Sequence, residues 1–232
     1  MQYKTDGLAF ESLSSDPISQ FTAWFKDAQA HPSIEEPGAM TLTTTTLGPP
    51  PRPSSRIVLL KQVDDGGFVF FSNYTSRKGR EMDANPFAAL TFYWHDLHRS
   101  VRVCGKVERI TKDESQRYYD GRPLGSRIGA HASPQSQVLA SREVLERAVR
   151  DVEDKYDAKG AAGLDGPEAE KAVGDRQVPV PDFWGGYRLV PDEVEFWMGR
   201  QNRLHDRFRY TRSIESEQDA RSDKWSIDRL AP

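Results

Sequence analysis

Apolar residues recur along this chain at two different spacings. Ile18, Phe21, Phe25 and Ala28 return every third or fourth position, the stripe of an amphipathic helix. Asp16-Pro17 opens that helix, with Asp as N-cap and Pro at the first helical position, and His31-Pro32 closes it. From Ala39 the texture becomes β-branched and aromatic, broken by turn residues. Met40–Thr46, Ser55–Val63 and Phe68–Asn73 read as strands, the last two joined by a hairpin at Asp64-Asp65-Gly66-Gly67. Ser76–Ala84 reads as a short helix capped by Ser76 and ended by Asn85-Pro86. Phe87–Trp94 and Arg99–Ile110 read as strands, the second with Val101, Val103 and Val107 on one face and Ser100, Arg102 and Lys106 on the other.

Thr111 and Glu114 have the spacing of a capping box and predict a helix through Tyr118-Tyr119. Ser141–Tyr156 is charged with apolar positions at helical spacing, a further helix. Residues 157–177 are rich in Ala, Gly and charge, and predict a flexible surface insertion. Gly186–Val190, Val194–Trp197, Arg207–Thr211 and Trp225–Arg229 then read as strands. Strands following one another without regular helical crossovers predict a mainly β, α+β fold: an antiparallel, closed or partly closed barrel with peripheral helices. Residues 1–15 are expected to be a partly mobile N-terminal segment, and 16–232 a single domain.

Composition narrows the function classes. The 232 residues carry 32 basic and 35 acidic side chains, a net charge of −3. A nucleic-acid binder would carry a basic excess, so any bound anion should be small and met by a local cluster. One cysteine, Cys104, excludes an intramolecular disulfide. No run approaches a membrane span, and no basic start followed by an apolar run marks a secretory signal, so a cytoplasmic location is expected. P-loop, dinucleotide-binding and zinc motifs are missing. The five histidines show no metal-ligand spacing, and His95 and His98 read as ordinary surface residues in a turn.

Candidate chemistry lies in basic residues set among apolar ones. Arg56 and Lys61 bracket a four-residue apolar run, which places them at strand ends near water, acids or an anion. Ser76-Arg77-Lys78 combines two cations with a helix start, a phosphate site or a solvated basic turn. Arg122 follows Tyr118 and precedes Ser126. In Arg203–Arg207 an extended chain would put Arg203, His205 and Arg207 on one face and Leu204, Asp206 and Phe208 on the other. Two guanidiniums flanking an imidazole call for an anion or carboxylate, with Trp197 as a flat wall. A salt-bridged dimer interface is the other reading of that surface.

The strings RIVLLK (56–61), SRK (76–78), NP (85–86), RP (122–123), SPQS (133–136), PDFWGGY (181–187), EFW (195–197), RLHDR (203–207) and IDRLAP (227–232) together resemble the pyridoxine 5′-phosphate oxidase family, in that family's order. The resemblance implies an FMN-binding split β-barrel working as a homodimer with FMN between subunits. It implies FMN contacts from Arg56, Ile57, Val58, Leu59, Leu60, Lys61, Phe71, Ser72, Arg77, Lys78, Ser100, Gln135, Ser136, Trp197 and Arg207. It implies that Lys61, Tyr118, Arg122 and Ser126 meet the phosphate of a small phosphorylated pyridine, with Arg203, Leu204 and His205 over the pyridine ring. Arg203 and His205 are the implied catalytic pair, and Tyr3 resembles a family tyrosine that closes over the substrate. The implied reaction is oxidation of pyridoxamine or pyridoxine 5′-phosphate to pyridoxal 5′-phosphate, with oxygen reduced to hydrogen peroxide. No metal, nucleic acid or membrane is implied. The chain departs from the family at Ser100, Arg127 and Met198, each where a Gln is usual, and at His131, where bacterial members often carry Trp. Two other readings stand beside this one: a split-barrel flavoenzyme on another substrate, as in the phenazine-pathway relatives, and a non-catalytic flavin- or pyridoxal-phosphate-binding protein.

Overall fold

The computed structural model describes residue 3 and residues 5–158, 178–212 and 224–232. Residues 159–177 of the expected insertion lie outside the described residues, as do Met1, Gln2 and Lys4. The chain forms two compact units: Met1–Phe70 with Ala84–Glu108 and Arg188–Pro232, and Phe71–Asp83 with Arg109–Tyr187.

In the first unit, helix α1 (Pro17–Ala30) is capped as its sequence predicts, the Asp16 carboxylate accepting from the Ile18 and Ser19 amides. Its apolar face buries Phe21, Trp24 and Ala28. The Phe21 ring lies 4.8 Å from Phe68 and 4.9 Å from Phe92, edge-on and tilted, the aromatic centre of this core. Strands β1 (Ala39–Thr45), β2 (Pro53–Leu59), β3 (Gln62–Asp64), β4 (Gly67–Asn73), β5 (Phe87–Trp94), β6 (Arg99–Arg109) and β7 (Trp184–Met198) run in the order β2-β1-β5-β6-β7-β4-β3. Strands β8 (Asp206–Thr211) and β9 (Ser226–Leu230) extend it from β7. In β6, Val101, Val103 and Val107 are buried while Arg102 and Lys106 are exposed, the predicted two-faced pattern.

Two strand readings need correction. Ser55–Val63 is not one strand: β2 ends at Leu59 and pairs with β1, whereas β3 starts at Gln62 and pairs with β4. Leu60 and Lys61 make the change of partner, Leu60 donating its amide to Gly38 and Lys61 to Val69. Conversely, Gly186–Val190 and Val194–Trp197 are parts of the single strand β7, which runs through Pro191. Its neighbour Gly105 explains that passage, since a Cβ there would collide with the Val190 carbonyl.

The second unit holds α2 (Arg77–Ala84, up to Asp83), α3 (Lys112–Asp120), α4 (Leu124–Ala132) and α5 (Arg142–Lys155). Thr111 and Glu114 form the predicted capping box of α3. Helix α4 escapes the sequence reading, because Gly125 and Gly129 dilute its periodicity, yet Leu124, Ile128 and Ala132 bury one face. Those residues meet Tyr119, Val178, Val180 and Trp184 in the unit's own core. The paired glycines after Trp184 serve this core: a Cβ on Gly185 would fall on the Tyr74 hydroxyl and lie 2.9 Å from the Ser115 Oγ. No helix of the described residues is long and apolar enough to cross a membrane.

Candidate functional site

In the second unit, the aromatic strand end and α3 build a flat wall. The Phe71 ring stacks on Tyr118 at 3.7 Å with 13° between planes, and on Trp184 at 5.5 Å with 15°. The Arg122 guanidinium sits 4.7 Å over Trp184 and 5.7 Å over Tyr119. Its Nη1 is buried with no hydrogen-bond partner. Burial disfavours its charged form and holds its pKa below the usual arginine range, while burial pushes the Tyr118 and Tyr119 phenols up. Ser126 lies exposed on α4. Tyr118 and Arg122 are thus brought into one aromatic patch, as the sequence led us to expect.

The same unit joins three other predicted residues. The Lys78 ammonium donates to the Gln135 Oε1 at 2.7 Å and to the Ser76 Oγ at 3.2 Å, and the Ser72 hydroxyl reaches the same Gln135 oxygen at 3.4 Å. The Ser76 Oγ also accepts the Gly79 amide, so this side chain caps α2 as expected. Arg77 is exposed and pairs with Glu81 one turn on. Gln135, the least conspicuous of the sequence candidates, is therefore fixed by Lys78. Ser136 follows it with φ 71°, in the left-handed region. The sequence carried no signal for that contact, since 57 residues separate the partners.

In the first unit, the Arg56 guanidinium donates to the Leu42 carbonyl, the Thr44 hydroxyl at 2.6 Å and the Ser54 hydroxyl at 2.5 Å. Ile57 is exposed, Val58 and Leu59 are half-buried, and Leu60 is buried. Leu60 and Lys61 line a cleft of about 360 Å³ with Phe21, Thr22, Phe25 and Gln29. Ser100 turns its hydroxyl back onto the Phe92 carbonyl at 2.9 Å.

The Arg203–Arg207 face is not the extended surface predicted. Gln201–Arg203 form a 3-10 turn, with Asn202 and Arg203 at φ 58° and 62°, and β8 begins only at Asp206. Arg203 and Leu204 are consequently exposed on the turn, and Leu204 does not share a buried face with Asp206 and Phe208. His205 is positioned instead by rings: Trp197 lies 4.7 Å away, and Tyr3 5.3 Å edge-on. Its Nδ1 accepts the Arg200 amide at 3.0 Å, so a neutral His205 carries its proton on Nε2. Tyr3 also meets His98 edge-on at 5.0 Å. His98 is not an ordinary surface histidine: it is half-buried, its Nδ1 is buried with no hydrogen-bond partner, and its carbonyl accepts the Gly199 amide.

Two carboxylates neutralise this surface, of which Glu195 was not among the residues the sequence singled out. Glu195 is buried and accepts from Arg207 Nε at 2.8 Å and from Arg102 Nη2 at 2.7 Å, across β8 and β6. Burial pushes its carboxyl up, but the two guanidiniums outweigh that and hold it below the usual range. Arg207 is further tied to the C-terminal segment, Nη1 donating to the Ala231 carbonyl at 2.9 Å. Buried Asp206 accepts from Arg229 at 2.7 Å and from the Leu8 amide at 2.9 Å. A signal for Glu195 was available: two residues before Trp197 in a strand, it shares that residue's face, and Trp197 stands opposite Arg207.

The comparisons with known proteins follow the same strings. The family model described as pyridoxamine 5′-phosphate oxidase matches residues 26–156, and the one described as the pyridoxine 5′-phosphate oxidase C-terminal dimerisation region matches residues 184–232. The pyridoxine/pyridoxamine 5′-phosphate oxidase of Burkholderia lata is 48% identical over 232 residues, covering 100% of this chain and 96% of that protein. Its counterpart from Nostoc punctiforme is 44% identical over 230 residues, covering 99% and 95%. Among solved structures, PhzG from Burkholderia lata, in complex with tetrahydrophenazine-1-carboxylic acid, matches with a TM-score of 0.79 and 28% identity over 98% of this chain and 99% of that one. An FMN-binding, pyridoxamine 5′-phosphate oxidase-related protein from Nostoc punctiforme matches with a TM-score of 0.64 over 95% and 100%, and at 16% identity supports the fold alone. The antiparallel split-barrel class expected from the sequence is borne out. With residues 26–156 and 184–232 both matched, and relatives aligned nearly end to end, this chain belongs to the pyridoxamine 5′-phosphate oxidase family of oxidoreductases.

Proposed function

We propose that the protein is an FMN-dependent oxidase that converts pyridoxine 5′-phosphate or pyridoxamine 5′-phosphate to pyridoxal 5′-phosphate, reducing oxygen to hydrogen peroxide, as a homodimer. The observation that carries this reading is the Arg122 Nη1, buried with no hydrogen-bond partner among the described residues, on the aromatic patch with Tyr118 where the family resemblance puts the substrate's phosphate.

The residues fit the flavin. Lys78, Ser72 and Gln135 already converge on one another, offering a cation, a hydroxyl and an amide to a phosphate or a ring edge. Arg207 is held at Nε by Glu195 and at Nη1 by the chain end, so its guanidinium is oriented before any ligand arrives. We assign FMN to Arg56–Lys61, Phe71, Ser72, Arg77, Lys78, Ser100, Gln135, Ser136, Trp197 and Arg207. FMN, when bound, supplies the hydride-accepting and oxygen-reducing chemistry.

The protein's own part is orientation and charge. Tyr118, Arg122 and Ser126, with Lys61, grip the phosphate and so fix the remote end of the substrate. His205, with its proton on Nε2, and Arg203 on the exposed turn face the pyridine ring. His205 donates a hydrogen bond there, and Arg203 offsets negative charge. Tyr3, packed edge-on against His205 and Trp197, covers the ring and excludes water.

A second reading is favoured by the match to PhzG, whose crystal structure holds a tetrahydrophenazine carboxylic acid. An aromatic carboxylate would engage the same cationic, aromatic patch. Peroxide release with pyridoxine 5′-phosphate, compared with unphosphorylated pyridoxine and a reduced phenazine carboxylate, separates the two. Turnover of the phosphate ester alone supports the first reading; turnover of the phenazine alone overturns it.

A further inference from the structure

The phosphate patch of the second unit contains a cation that the family reading does not use. Arg127, on α4, has a buried Nε with no hydrogen-bond partner, as Arg122 has a buried, unpartnered Nη1. Neither arginine forms an ion pair with a described residue. Tyr119 separates them: its ring lies under Arg122, and its hydroxyl donates to the Arg127 carbonyl at 2.7 Å. Both guanidinium charges act on the Tyr119 phenol, and that of Arg127 disfavours the charge on Arg122. The nearby acid, Asp120, accepts instead from the Gln116 amide at 2.6 Å.

A structural account covers only half of this. Arg122 is partly compensated by the faces of Trp184 and Tyr119. Arg127 has no ring beneath it among the described contacts, and two neighbouring guanidiniums without a carboxylate repel one another. Both arginines are half-buried, and leaving their buried Nη1 and Nε without a partner costs free energy that an anion would return through charge-assisted hydrogen bonds.

We propose that Arg127 is an additional anion-binding residue, which with Arg122 makes a two-arginine cradle for the doubly charged phosphate of a phosphate monoester. This rests on the reading of the Tyr118–Arg122–Ser126 patch given above. The consequence is tighter capture of phosphorylated over unphosphorylated ligands than a Gln at 127 would give.

The test is the dissociation constant of pyridoxal 5′-phosphate, followed by its absorbance, with inorganic phosphate as competitor. It is measured on the wild type, Arg127→Gln, Arg127→Lys and the control Arg117→Gln, an exposed site on α3. Loss of one charged hydrogen-bonding group predicts affinity weaker by about tenfold or more in Arg127→Gln, with partial recovery in Arg127→Lys and no change in Arg117→Gln. Binding of pyridoxal, which has no phosphate, should be unaffected. The proposal is overturned if Arg127→Gln binds within about twofold of the wild type, or if pyridoxal weakens equally. It is also overturned if the two Arg127 variants melt lower yet bind as the wild type does, which makes the residue structural. Should the wild type bind inorganic phosphate through Arg127 but turn over neither vitamin B6 ester, the cradle stands and the oxidase reading fails.

Discussion

Replacing Glu195 by Gln tests how the Arg207 side is held. Glu195 is the central carboxylate of a three-strand bridge, accepting from Arg102 on β6 and Arg207 on β8. Its side chain is 8% exposed, those of Arg102 and Arg207 44% and 31%. Gln keeps the shape and one acceptor oxygen, but turns one charge-assisted bond into a neutral one and faces the other guanidinium with an NH₂ group. Breaking a fully buried pair costs about 3–5 kcal/mol. The half-exposed arginines are screened, which brings the expectation to about 2 kcal/mol. For a chain of this length that is a fall in Tm of about 4–8 °C. The pH dependence has a definite sign. A carboxyl held below its ordinary value of 4.5 contributes its stability in full above that pH and loses it as pH falls through the folded-state value. The gap between wild-type and Glu195→Gln melting curves should therefore be full at pH 7 and shrink below about 4.5. Equal melting temperatures at pH 7, or a gap that widens in acid, would refute the bridge.

Three further substitutions probe other parts of the account. Gly185→Ala should destabilise by about 1–3 kcal/mol, because the new methyl group must displace the Tyr74 hydroxyl. Gly129→Ala, in α4 with open space around its Cβ position, should stabilise by about 0.5–1 kcal/mol; thermal melts giving the reverse order would contradict the packing described. Lys78→Met removes the ammonium that meets Gln135, and should weaken FMN binding by roughly 10- to 100-fold in a flavin-fluorescence titration of the apoprotein. Unchanged flavin affinity in a natively melting variant would take Lys78 out of the cofactor site.

Much of this was legible in the sequence where local physics decides. Asp16-Pro17, the Thr111–Glu114 capping box and the alternation through Val101–Val107 each specify their element from neighbouring residues. What failed depends on partners distant in the chain. Nothing in RIVLLK reveals that β2 and β3 pair with different strands, so the break at Leu60-Lys61 is set by Gly38 and Val69. Gly186–Val190 and Val194–Trp197 read as two strands, yet β7 runs through both because Gly105 lets the backbone through at Val190. At the candidate site, residue types and motif order singled out Lys78, Tyr118, Arg122 and His205 as candidates, but carried nothing of their geometry. The 201–205 turn depends on positive φ at Asn202 and Arg203, which an alternating face could not anticipate. The neutralising acids Glu195 and Asp206 meet their cations across strands, from Arg102, Arg207 and Arg229, so the local pattern around each acid does not reveal its partner.

The most direct test of the central claim is an anaerobic reduction. The purified protein, loaded with FMN, is given pyridoxine 5′-phosphate without oxygen while the flavin absorbance is followed. The account predicts bleaching, then recovery with release of hydrogen peroxide and pyridoxal 5′-phosphate when air is admitted. Flavin that is bound yet stays oxidised with both pyridoxine and pyridoxamine 5′-phosphate would contradict it.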